Sequence, residues 1–340
     1  MPNYILPQGK MNDFVDRLSS RGHVYGPIRK GVEYVFDRIT SPKDLRLDYH
    51  TTILPPKKFF TPMRETIFTF QDEKISEIAN MIPKEKQILL GVHACDLSSF
   101  TFLDRVFLGF RSDPRYLRQR DNFVIIALTC KEVAETCFCL SMGTGPDPSP
   151  GYDVLMTDIG GNYLIETATS EGEALIKPMG LPEATLEDLD AKRGCLESLK
   201  GQFKKSIDRA RMVQLAFERQ DHPTWRKNGD ICLACGQCAL VCPTCFCFDV
   251  KDKIDLSLKK GERVREWDVC LLLEFAEVAL GGNFRKPRYA RLRQFICHNL
   301  SYGEMQYGMT KCVGCGRCIG ACPVGIDITE IAKDLKEELA

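Results

Sequence analysis

The sequence predicts an α/β domain over residues 1–182 and an α-helical domain over residues 183–340. Three observations predict this division. Two short, apolar runs, Ile88–Val92 and Val124–Leu128, flank a helix-length segment, as parallel strands joined by a crossover helix do. A Pro- and Gly-bearing linker, Lys177–Pro182, leads into a long charged stretch of helical character, Leu186–Glu218. The second half then carries the same cysteine rhythm twice, at Cys232, Cys235, Cys238 and Cys242 and again 80 positions later.

The elements follow in order. The first twenty residues carry Lys10, Asp13, Asp16 and Arg17 with no apolar run between them, so they do not read as a secretion signal. Ile88–Val92 reads as a buried strand, followed by a helix from about Leu97 with Asp96 as its N-cap. Phe123–Thr129 is a second buried strand, and 153–169 reads as a hairpin turning near Gly160-Gly161-Asn162. Between the two cysteine runs, Trp267–Leu280 is strongly apolar and stops at Gly281-Gly282, which predicts a helix, and Tyr289–Leu300 predicts another.

Composition excludes several classes. Lys plus Arg number 46 and Asp plus Glu 46, so no global basic field recruits nucleic acid. No apolar stretch approaches the roughly 18 residues that cross a bilayer, so direct membrane insertion is not expected. Seventeen cysteines in a chain read as cytoplasmic point to metal ligation rather than disulfides.

Both cysteine runs read C-x2-C-x2-C-x3-C-P, with Pro243 and Pro323 closing them. This is the spacing of bacterial-type [4Fe–4S] ferredoxins. A cubane has four iron corners, and three thiolates at three-residue intervals let one tight loop wrap three of them. Small residues such as Gly236, Gly314 and Gly316 let the backbone close in. In two-cluster ferredoxins the fourth cysteine serves the other cluster. One set is therefore Cys232, Cys235, Cys238 and Cys322, and the other Cys312, Cys315, Cys318 and Cys242. Structural zinc, which takes paired C-x2-C units, has no use for this third and fourth cysteine. The fold class is thus an α/β N-terminal domain plus an α-helical dicluster ferredoxin-like C-terminal domain, with helices inserted between its halves.

Cys95 and Cys130 fall just past the ends of the two buried strands, where open α/β sheets build sites. Cys137 and Cys139 follow in the next loop. These four are candidates for a third iron–sulfur site, with Asp96 as an outside candidate for an oxygen ligand. Small buried hydrophobes are the other reading. Cys245 and Cys247 repeat a Cys-Phe-Cys pattern and either support the first cluster or join that third site. Cys195, Cys270 and Cys297 read as packing residues, and His93 as a hydrogen-bonded structural histidine. The basic group Arg285, Lys286, Arg288, Arg291 and Arg293 either faces the clusters and an acidic partner or is a solvated helix face.

In order along the chain come GVHACD, LDRVF, CFCLSMGTGP, GYDVLMTDI, CLACGQCALVCPTCFCFDV, GGNFR and CVGCGRC. From about residue 88 to the end this set resembles the iron–sulfur beta subunit of cytosolic sulfhydrogenases and its relative, the A-type iron–sulfur subunit of anaerobic sulfite reductase. The resemblance implies a relay in a hetero-oligomer. A flavoprotein NAD(P)-binding subunit exchanges electrons with a terminal catalytic subunit of hydrogenase, sulfite reductase or heterodisulfide-reductase type. The residues agree: no dinucleotide fingerprint, Walker A sequence, H-E-x-x-H or G-x-S-x-G is present. No catalytic residue is assigned. The alternative is that the chain is itself a reductase, with an open-site third cluster acting on sulfur, a disulfide or another small acceptor.

Overall fold

The computed structural model describes residues 2–72, 74–77 and 85–337. Its strands are β1 (Asn3–Pro7), β2 (His23–Lys30), β3 (Glu33–Arg38), β4 (Arg64–Gln71), β5 (Lys74–Glu77), β6 (Gln87–Val92), β7 (Phe123–Leu128), β8 (Val154–Asp158), β9 (Asn162–Thr167), β10 (Phe248–Ile254) and β11 (Lys260–Trp267). A seven-stranded sheet runs β1-β9-β8-β7-β6-β2-β3. Its centre, β2, β6, β7 and β8, is parallel, and the flanking strands are antiparallel. Every residue of β6 and β7 is buried, as expected of strands covered on both faces. Helices Ala94–Leu108 and Pro114–Asp121 make the crossover from β6 to β7.

The crossover helix starts earlier than the sequence suggests. His93, not Asp96, occupies its N-cap, and Asp96 lies in the first turn with no exposed surface. A stronger partner claims its carboxylate: Arg317 donates to both Asp96 oxygens, at 2.7 and 2.8 Å. That bidentate pair engages both Asp96 oxygens.

The charged stretch Leu186–Glu218 is two helices, Leu186–Lys200 and Arg209–Glu218. Thr185 and Asp188 form a capping box on the first, and Asp208 caps the second. The break buries Ile207, whose N–H donates to Ser141 Oγ at 3.0 Å.

The segment between the cysteine runs differs most from expectation. It contains a β-hairpin, β10–β11, and β11 pairs with β4 to give a second sheet of order β10-β11-β4-β5. This sheet joins residues on both sides of the boundary placed at 182/183. Trp267–Leu280 is not an α-helix: β11 ends at Trp267, Glu274–Ala276 and Ala279–Gly281 make 3-10 turns, and Glu277–Val278 between them pairs antiparallel with Gly282–Asn283. Val269, Cys270 and Leu271 are consecutively buried, which a helix with one packed face cannot offer. Val269 instead fills the space under Gly236, where an added Cβ would stand 2.6 Å from its Cγ2. The helix expected over Tyr289–Leu300 is present as Arg288–Cys297, running on into a π-helical turn, His298–Tyr302.

Two main cores result. One surrounds the seven-stranded sheet. The other gathers Trp225, Leu271, Phe295 and Ile331 around the cysteine loops.

Candidate metal centres

The repeated sequence folds into a repeated backbone. Each loop takes a left-handed residue two positions after its first cysteine, Ala234 (φ 52°) and Gly314 (φ 62°), and another two later, Gly236 (φ 79°) and Gly316 (φ 74°). A four-residue helix follows in each, Gln237–Leu240 and Arg317–Gly320, and these two helices pack together. Backbone N–H groups face the sulfurs: Ala234 donates to Cys232 Sγ at 3.4 Å and Ile326 to Cys322 Sγ at 3.2 Å. Glycine is needed at 314 and 316 for space as well as for φ. A Cβ there would sit 2.6 Å from Cys139 N and 2.5 Å from Thr136 O.

Cys232, Cys235, Cys238 and Cys322 line one cavity together with Cys318, walled by Leu271 and Phe295. Cys235 is exposed, whereas Cys312 and Cys315 are buried. Burial raises the thiols of Cys312, Cys315 and Cys318, and the neighbouring Cys242 sulfur raises each further. Cys315 reaches about 11 by burial, with Arg317 pulling against it. Such thiols ionise when a metal replaces the proton. Cys242 goes the other way. A hydrogen bond from Cys245 holds its thiol well below the usual range, against burial and with help from Lys311 and Lys57.

Sequence reasoning missed these cations. Lys57 is 2% exposed, donates to the carbonyls of Cys242 and Cys245, and lies 4.5 Å from the Trp267 ring centroid. Lys311, 1% exposed, shares a 3.0 Å hydrogen bond with His298 Nδ1. Burial, then Lys311, depresses His298 to about 3, so its neutral ring accepts this bond. Lys311 and Arg317 adjoin motif cysteines and were visible there; nothing local marks Lys57.

The N-terminal cysteines are brought together. Cys95 enters from the helix after β6, Cys130 lies past the end of β7, and Cys137 and Cys139 come from the loop beyond. Cys95 and Cys139 share a buried cluster with Cys315. Burial raises Cys139, and Cys130, Cys137 and Cys315 raise it further; burial, then Cys137, pushes Cys130 up to about 12. His93 is structural, stacked on Tyr49 at 4.1 Å with Nδ1 bonded to His50 O. Cys297 packs with no exposed surface, Cys270 is buried, and Cys195 faces Asp158 O at 3.5 Å. The basic group is not a plain solvated face. Arg288 donates to Cys232 O and Asp230 O, Arg293 donates to Gln220 O, and Arg291 is buried.

All seventeen cysteines are unpaired. Among the described residues no three His, Cys, Asp or Glu side chains converge as ligands of a single ion do. Cys232, Cys235, Cys238, Cys318 and Cys322 instead stand around a cavity, which suits the corners of a larger group. Among the described residues no helix is long and apolar enough to cross a membrane.

Comparison with known proteins agrees with this chemistry. Residues 231–326 match the 4Fe-4S dicluster domain, so two [4Fe–4S] clusters belong to this part of the chain. Sulfhydrogenase 2 subunit beta of Pyrococcus furiosus is 35% identical over 333 residues, covering 96% of each chain. The likeness therefore extends through the N-terminal half, well before residue 88. No solved structure matches the chain. With a dicluster domain in place and identity sustained over nearly its whole length, the chain belongs to the family of sulfhydrogenase beta subunits.

Proposed function

We propose that this chain is a non-catalytic, cytoplasmic electron-transfer subunit, relaying single electrons between a terminal catalytic subunit and a flavoprotein NAD(P)-binding partner. The observation that carries the reading is the cavity in which Cys322, from the second loop, joins Cys232, Cys235 and Cys238 of the first. Bound there and beside Cys242, Cys312, Cys315 and Cys318, [4Fe–4S] clusters supply one-electron redox chemistry and nothing else. The chain's own residues do the rest. The glycine-bearing loops hold the thiolates apart, Leu271 and Phe295 exclude water, and Lys57 and Lys311 offset the negative charge of metal–thiolate groups. The exchange of Cys242 and Cys322 locks the two loops together, so the sites are held as one rigid unit. The relative of this name is itself one subunit of a sulfhydrogenase, which supports a hetero-oligomer; the three classes of terminal subunit stay equal alternatives.

The test is pairwise. Cys235→Ala and Cys322→Ala each abolish the same cluster signal in electron paramagnetic resonance, while Cys242→Ala and Cys315→Ala abolish the other. If Cys322→Ala instead removes the signal lost in Cys315→Ala, the exchanged assignment fails. Isolation of the native complex, followed by bleaching of this chain's visible absorbance with NAD(P)H only when the flavoprotein is present, tests the relay.

A further inference from the structure

We propose that Cys95, Cys130, Cys137 and Cys139 hold a third [4Fe–4S] cluster beside the Cys312–Cys318 loop. The inference deepens the relay reading and rests on it.

Four unpaired thiols meet here from three separate stretches of chain, at the C-terminal ends of adjacent parallel strands. They do not converge as ligands of one ion; Cys95 and Cys139 share a buried cluster with Cys315, and Cys137 Sγ donates to Cys315 O at 3.6 Å. Chance packing of small hydrophobes does not need them on so rigid a frame. Phe138 N–H donates to Gly314 O at 2.8 Å, Thr144 Oγ1 to Val313 O at 2.7 Å, and Ser141 Oγ to Phe138 O at 2.9 Å. The first two bonds clamp the Cys-Phe-Cys loop onto the second cysteine loop, and the third braces it from within.

Cys95 sits in the first turn of a 15-residue helix, at the positive end of its dipole. The buried Arg317, neutralised by its pair with Asp96, lies beside both Cys95 and Cys315. The site also lies where a relay needs one. Cys235 is exposed on one surface, and Cys312 and Cys315 are buried inside. Cys130 lines an open groove with Thr129, Thr157, Asp158, Cys195 and Gln202, on a surface formed by the sheet domain. With only the two loop sites, the row of sulfurs would end in the interior. With the third, it reaches a second surface, as a subunit contacting two partners requires.

The experiment uses the full chain, purified anaerobically, stripped of loose iron by a chelator and not reconstituted. Iron and acid-labile sulfide are expected at about twelve each per chain, four per cubane. Cys130→Ala and Cys137→Ala each lower iron by about a third, remove one Mössbauer component, and leave both loop-cluster signals. Cys195→Ala, on the same groove, leaves iron unchanged. About eight irons in the unmodified chain, with the Cys130 and Cys137 variants indistinguishable from it, overturns the third site and spares the relay. A chain lacking iron and sulfide overturns both.

Discussion

Replacing Asp96 with asparagine keeps the shape of the side chain and removes its charge. Asp96 and Arg317 are 1% and 3% exposed, so the guanidinium loses its counter-charge where water cannot replace it. Thr52 still accepts from Nε at 2.9 Å, but a neutral carbonyl does not balance a cation. Breaking a buried pair from one side costs about 3–5 kcal/mol. For 340 residues, an unfolding entropy of about 2.1 cal/mol/K per residue makes one degree worth about 0.7 kcal/mol. Anaerobic calorimetry should therefore show a melting temperature lower by about 4–7 °C. The stranded cation also acts on the cluster held at Cys315. By Coulomb's law at an effective dielectric of about 20, a unit charge about 8 Å from a redox group is worth about 2 kcal/mol. That corresponds to roughly 90 mV for one electron. The shift is positive, because reduction adds negative charge beside the cation. Arg317→Met in the same background should recover most of both changes. An Asp96→Asn chain with unaltered melting temperature and potentials would refute the reasoning.

Gly314→Ala adds a Cβ 2.6 Å from Cys139 N in a left-handed residue; a loss of about 2–4 kcal/mol should appear as faster iron release to a chelator. Cys245→Ala removes the hydrogen bond to Cys242 and should lower the potential of that cluster, since donors to ligating sulfur raise it; potentiometric titration measures this, and an unchanged or raised value contradicts it. His298 has its pKa depressed to about 3 by burial and then Lys311. The unfolded chain binds this proton below about pH 6.5 and the folded chain does not, so stability falls as pH drops from 6.5 to 3, by up to about 1.4 kcal/mol per unit. His298→Gln should flatten that part of the stability–pH curve.

The sequence alone determined what depends on neighbours in the chain. Cysteines three apart, with left-handed residues between them (Ala234, Gly236, Gly314 and Gly316), set the two loops because that geometry is local. The parallel strands were legible because covered faces require unbroken apolar runs. The hairpin β10–β11 was not, because both strands are rich in charge, β10 is mostly exposed and β11 mostly half-buried, and its pairing to β4 spans nearly two hundred residues. Trp267–Leu280 misled because an apolar run reports burial, not conformation; Val269 plugging the space under Gly236 decided the outcome. Only the tertiary structure brought Cys95 and Cys139 against Cys315, and Lys57 against Cys242 and Cys245. Contacts between residues so far apart in sequence are selected by the packing of whole elements, and no local spacing encodes them.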